Sequence, residues 1–151
     1  MERGADIHTR DRYQRTPLHY ACDKGHIEVA MSLMERGADI DATDNDQSTP
    51  LHKACWKNLT EVAMALIERR LDIHARDRYQ RTPLHWVCRY GCNEVAMALM
   101  ERGADIHTRD RYQRTPLHYA CDKGHIEVAI SLIERGADID ARDKVCKYCL
   151  F

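Results

Sequence analysis

From Ile27 the apolar side chains Ile27, Ala30, Met31 and Met34 recur at i, i+3, i+4 and i+7, with Glu28 and Ser32 between them and Glu35 after. That spacing places them on one face of a helix, which Gly37 ends. Upstream, Thr16 precedes Pro17 and Leu18. The threonine hydroxyl can cap a helix whose first position is a proline with its φ already set. Gly25 breaks the chain between the two periodic runs, so the pattern predicts two short helices folded as a hairpin. A polar, extended connector follows through Ile40, Asp41 and Thr43 to Ser48. Neither helix reaches the ~12 residues at which an isolated helix becomes marginally stable, so each pair has to bury its apolar face on a neighbouring pair.

The neighbours are written in the same chain. Thr-Pro-Leu-His occurs at Thr16 to His19, Thr49 to His52, Thr82 to His85 and Thr115 to His118, 33 residues apart each time. The same period carries Glu28, Glu61, Glu94 and Glu127, and Leu33, Leu66, Leu99 and Leu132. With a 33-residue repeat and this signature, the sequence resembles the ankyrin-repeat family over essentially its whole length. The resemblance implies an all-α fold: an ankyrin-repeat solenoid of stacked helix-turn-helix units joined by extended hairpin loops. The expected organisation is one array over 1–151, with four complete helix pairs at 16–36, 49–69, 82–102 and 115–135 and partial units at both ends. Residues 1–42 and 100–141 are identical at 40 of 42 positions, differing only at Met31 against Ile130 and Met34 against Ile133. Such a copy points to internal duplication.

Three departures from the family pattern bear on the backbone. The hairpin turn usually carries Gly two residues before the Thr, whereas Gln14, Gln47, Gln80 and Gln113 stand here, which opens a different turn geometry. The second unit has Asn58-Leu59 for the usual Gly-His. It also has Arg70-Leu71 for the usual Gly-Ala, which predicts a left-handed Arg70 at a cost of ~1 kcal/mol and a looser unit.

Composition excludes several classes. The formal net charge of −1 argues against a globally basic nucleic-acid binder. No apolar run approaches the ~18 residues of a membrane span, and Met1 to Asp6 lacks the apolar stretch of a signal peptide. Seven Cys, an odd number, fit reduced thiols better than a closed disulfide framework. The expectation is an intracellular, cytoplasmic protein without a membrane partner, a secreted effector remaining open.

Histidine is the first candidate for chemistry. His19, His52, His85 and His118 end the repeat signature. The resemblance implies that their rings tie the Thr hydroxyl to backbone in the neighbouring turn. His26 and His125 open second helices, also a structural place. Cys22, Cys55, Cys88 and Cys121 recur at a small apolar position where they act as small hydrophobes. Cys92 lies seven residues after His85, but no oxyanion donor or orienting acid accompanies that pair. Cys146 and Cys149 form one Cys-x-x-Cys, for which zinc would need two further ligands; a redox or metal role stays open. No catalytic residue, metal ligand or cofactor is assigned, because a solenoid sets like groups in rows instead of converging unlike groups in a pocket.

What varies between units is the guide to binding. The hairpin tips carry Arg12 and Tyr13, Asn45 and Asp46, Arg78 and Tyr79, then Arg111 and Tyr112, with six-residue net charges of about +2, −2, +2 and +2. The first helices add Tyr20, Lys53, Trp86 and Tyr119 just after each signature His, and Trp56 lies further along the second unit's first helix. The resemblance places the tips and Tyr20, Lys53, Trp86 and Tyr119 along the concave groove where such arrays hold partners, with Trp56 and Trp86 a central apolar anchor if both face it; Arg and large aromatics are enriched at interface hot spots. The expected function is a non-catalytic protein-protein interaction scaffold, with an acidic or phosphorylated segment as partner. Two alternatives stay open: a structural segment of a longer array with no partner of its own, and nucleic-acid binding through the Arg/Tyr tips.

Overall fold

The computed structural model describes residues 6–144. The expectations for Met1 to Gly4, Cys146 and Cys149 fall outside the described residues. Eight helices run in chain order: α1 (Pro17–Lys24), α2 (Ile27–Glu35), α3 (Pro50–Trp56), α4 (Thr60–Glu68), α5 (Pro83–Tyr90), α6 (Asn93–Glu101), α7 (Pro116–Lys123) and α8 (Ile126–Glu134). Among the described residues there is no strand. The odd-numbered helices pack on one another in one layer and the even-numbered helices in a second, giving an all-α solenoid. The core runs between the layers through Leu18, Leu51, Leu84 and Leu117 of the signature and Leu66, Leu99 and Leu132 of the second helices.

Each first helix starts as its sequence dictates. Thr16, Thr49, Thr82 and Thr115 are extended N-caps followed by Pro, and each carries a reciprocal cap with the His three residues on. Those rings also reach across units. The backbone N–H of Thr49 donates to His52 Nδ1 at 3.1 Å, and His52 Nε2 lies 3.1 Å from the Arg81 carbonyl. His19 meets the Ser48 carbonyl at 2.9 Å and His85 the Arg114 carbonyl at 3.2 Å in the same way. Because Nδ1 accepts from an N–H, the proton sits on Nε2 and is donated to the next unit. Consecutive tips are joined too: the N–H groups of Asn45, Arg78, Arg111 and Lys144 donate to the carbonyls of Tyr13, Asp46, Tyr79 and Tyr112.

The Gln departures resolve as substitutions of residue rather than of geometry. Gln14, Gln47, Gln80 and Gln113 take φ of 57° to 66°, the left-handed conformation that Gly would hold without strain. Arg70 is left-handed as expected, at φ 61°. Its neighbour Leu71 is buried, so the departure adds apolar side chain to the core where the other units have Ala.

Position along the array sets burial. Val62, Val95 and Val128 are at most 1% exposed, whereas Val29 of the first pair is 51% exposed. At the other end Ile133 is 47% exposed, while its counterparts Met34, Ile67 and Met100 are nearly closed. Hydrogen exchange on this chain should therefore show the strongest protection in α3 to α6 and less in α1, α2, α7 and α8. Uniform protection from α1 to α8 would contradict this reading of the end pairs.

Candidate partner-binding surface

One carboxylate organises each hairpin tip. Asp11 Oδ1 accepts the backbone N–H groups of Tyr13 and Arg15, and Asp44, Asp77 and Asp110 repeat this with the residues two and four positions on. The second oxygen faces the first helix and takes a donor nine residues further along. Tyr20 donates its O–H to Asp11 at 2.7 Å, the Trp86 indole N–H donates to Asp77 at 3.2 Å, and Tyr119 donates to Asp110 at 2.7 Å. In the second unit the Lys53 ammonium lies 2.8 Å from Asp44.

A cation completes each site. Arg15, Arg81 and Arg114 pair with their tip Asp at 2.8 to 3.2 Å. They also lie over the rings of Tyr20, Trp86 and Tyr119 at 4.4, 4.0 and 4.4 Å. The second unit has Ser48 in place of that Arg, and there Lys53 replaces the aromatic ring, so every Asp keeps one cation. Hydrogen bonds and the adjacent cation hold Asp44 and Asp110 below the ordinary carboxylate range despite the opposing effect of burial. Asp11, at the surface, is lowered to about 2 by its Tyr20 and backbone hydrogen bonds, again against desolvation.

This arrangement changes what the expected contact residues present. Tyr119 is buried and offers no surface. Tyr20, Lys53 and Trp86 spend their polar groups on the tip. Arg78 pairs with Asp46 at 2.7 Å, so the acidic second tip is neutralised by Lys53 on one side and Arg78 on the other. Arg12 and Arg111 make no ion pair with any described residue, and lie over the rings of Tyr13 and Tyr79 at 4.8 and 5.5 Å. Tyr13, Tyr20, Tyr112 and Trp56 stay exposed; Tyr79 and Trp86 are half-buried. Trp56 and Trp86 do converge, with ring centroids 6.3 Å apart, and Tyr90 stacks on Trp86 at 6.1 Å. They border a recess between the second and third tips lined also by Lys53, Tyr79 and Arg81.

The sequence reading counted the tip Asp row and Arg81 as charges without seeing that they pair, and it missed Tyr90. A signal for the first two was available: Asp recurs nine residues before Tyr20, Lys53, Trp86 and Tyr119, and Arg15/Tyr20 change together to Ser48/Lys53.

The residues weighed for chemistry are engaged structurally. Both ring nitrogens of His85 are taken by Thr82 and the Arg114 carbonyl, and Cys92 Sγ lies 3.2 Å from the Thr60 hydroxyl, so no Cys-His dyad forms. Burial pushes the Cys22 thiol up to about 12 and Cys55 and Cys88 well above their ordinary value, leaving inert thiols. Cys121, whose counterparts are covered by the next unit, is exposed. Among the described residues no group of His, Cys, Asp and Glu could hold a metal, and no helix is long and apolar enough to cross a membrane.

The family description "Ankyrin repeats (3 copies)" matches residues 1–77 and 71–143. The chain belongs to the ankyrin-repeat family, a family of typically non-catalytic protein-interaction modules. No curated protein matches the sequence.

Proposed function

We propose that this chain is a protein-interaction scaffold that holds an extended partner segment across its tips and first helices. One observation carries the reading: the exposed and half-buried aromatics Tyr13, Trp56, Tyr79, Trp86 and Tyr112 all lie on the tip and first-helix side, gathered most densely at the second and third units. Aromatic rings supply large contact area at low entropic cost.

The guanidinium groups of Arg12 and Arg111, which pair with no carboxylate among the described residues, flank that centre at the first and fourth tips. At roughly 10 Å per stacked pair they stand ~30 Å apart, a span that about nine or ten extended residues bridge. A partner with carboxylates or phosphates toward its two ends fits them, since Arg binds both bidentately. No basic partner residue is needed opposite Asp46, because Arg78 already pairs with it. The same internal pairing disfavours nucleic acid: Arg15, Arg78, Arg81 and Arg114 are held by carboxylates and offer phosphates little.

A photocrosslinking side chain placed at Tyr13 should capture the partner, whereas the same group at Glu28 on the second helix of that unit should not. With the partner in hand, changing Tyr79 and Trp86 together to Ala should weaken binding at least tenfold, and the Arg12→Ala/Arg111→Ala pair about as much. Affinity within twofold for both folded variants would exclude this surface.

A further inference from the structure

We infer that the recess between the second and third units is a receptor for one uncharged, ring-sized apolar side chain of the partner, resting on the surface proposed above. The recess measures about 150 Å³ and is open to solvent. That volume has room for a single ring, and the lining mixes aromatic with charged and polar side chains. Its aromatic walls are Trp56, Tyr79 and Trp86.

The charged groups of its rim are matched inside the chain. Lys53 is paired with Asp44, Arg78 with Asp46, and Arg81 with Asp77, at 2.7 to 2.8 Å. A charged side chain entering here would lose hydration and find every opposite charge already taken, whereas a neutral ring gives up only apolar hydration. The ring faces that could attract a cation are also occupied. Arg81 lies between Tyr79 and Trp86, 4.5 and 4.0 Å from their centroids, and Lys57 lies 4.4 Å over Trp56. Trp86 has Tyr90 stacked beside it. An aromatic cluster with its cations already supplied recruits no further ammonium; the two indoles touch each other, and their open edges in the recess remain for a ring.

One wall of the recess is held in place. The Trp86 N–H is held by Asp77, itself held by two backbone N–H groups of the third tip, so the indole is oriented before a ligand arrives. Preorganisation of this kind reduces the ordering cost of binding. Duplication reinforces the assignment. The first and fourth units share the sequence Tyr-Gln-Arg-Thr-Pro-Leu-His-Tyr-Ala-Cys-Asp-Lys and contain no Trp, so the two indoles mark this one junction in the array.

The chain contains only two Trp, and both line the recess, so their indole N–H resonances report on it directly. Titrating the folded chain with N-acetyl-phenylalaninamide should shift both resonances with a Kd in the millimolar range. Tetramethylammonium and inorganic phosphate at the same concentrations should leave them unmoved. Tyr79→Ala, which removes one wall while keeping both reporters, should weaken the aromatic response at least threefold. No response to the aromatic probe, or a stronger one to tetramethylammonium, would overturn the proposal. A second arm separates this failure from failure of the surface itself. If Tyr13 crosslinks the partner and the Arg12/Arg111 pair matters, but Trp86→Ala leaves affinity unchanged, the surface binds and the recess is not its receptor.

Discussion

Taking the protein from pH 7 to pH 4.5 should remove several kcal/mol of stability, most of it through buried histidines. Burial lowers the pKa of His52 and His85 to about 4 and that of His19 below its ordinary value. The geometry gives the reason: Nδ1 accepts a backbone N–H from Thr, so a second ring proton has no place to go. In the unfolded chain the same rings protonate near 6.5. The unfolded state therefore binds more protons below that pH, and stability falls with pH across the window from about 6.5 to about 4. A gap of this size is worth on the order of 3 kcal/mol for each of His52 and His85, set against a net stability of about 5–15 kcal/mol for a domain. Asp44 and Asp110, whose folded pKa values are depressed, add their loss only at lower pH. Urea unfolding at pH 7.5, 6.5, 5.5 and 4.5 would read the slope. His52→Asn should be less stable at pH 7.5 and lose about a third to a half of the dependence. A wild-type stability that stays flat between pH 7.5 and 5 would refute the assignment of these rings as neutral struts.

The helices, their starts at Thr-Pro and the stacking of pairs were legible in the sequence because each follows from local chemistry repeated at a fixed period. The signature His was legible through resemblance alone; nothing in its own spacing says that Nε2 reaches a carbonyl 29 residues away. The surface was legible in part. Trp56 and Trp86 were singled out as a central anchor on condition that both face the groove; their ring centroids lie 6.3 Å apart. Tyr20, Lys53, Trp86 and Tyr119 looked like a row of contact residues because they vary between units, yet they are also the donors that hold each tip Asp. Variation there is compensated within the unit, so it reports on the tip as much as on a ligand. Counting charges along each tip erred for a related reason. It gave the net charge but not which cations were engaged: Arg15, Arg81 and Arg114 pair with the Asp of their own tip, and Arg78 with Asp46 of the preceding one.

Replacing five of the six left-handed non-glycine residues by Gly, with Asn58 left in place because Asn adopts this conformation more readily, should stabilise the array by roughly 3–5 kcal/mol. Gln14, Gln47, Gln80 and Gln113 each hold φ near 60° at the same place in the tip, and Arg70 does so where Gly37, Gly103 and Gly136 stand in the other units. A left-handed conformation costs an L-residue roughly 1–2 kcal/mol, and the extra backbone entropy that Gly loses on folding offsets part of the gain, leaving about 0.5–1 kcal/mol per site. Nothing else is lost, since all five side chains are exposed and none makes a hydrogen bond to a described residue. The sites lie about one unit apart, far enough for their effects to add. For a chain of this size the combined variant should melt roughly 10 °C higher, at about 2–4 °C per kcal/mol. The reverse change is the control. A Cβ at Gly103 meets no atom within 4 Å, so Gly103→Arg introduces the strain of Arg70 without a clash and should cost about 1 kcal/mol. If Arg70→Gly gains nothing while Gly103→Arg loses nothing, the left-handed positions carry no strain. The tips would then owe their shape to the Asp carboxylates alone, and Asp77→Ala would be the change that unravels them.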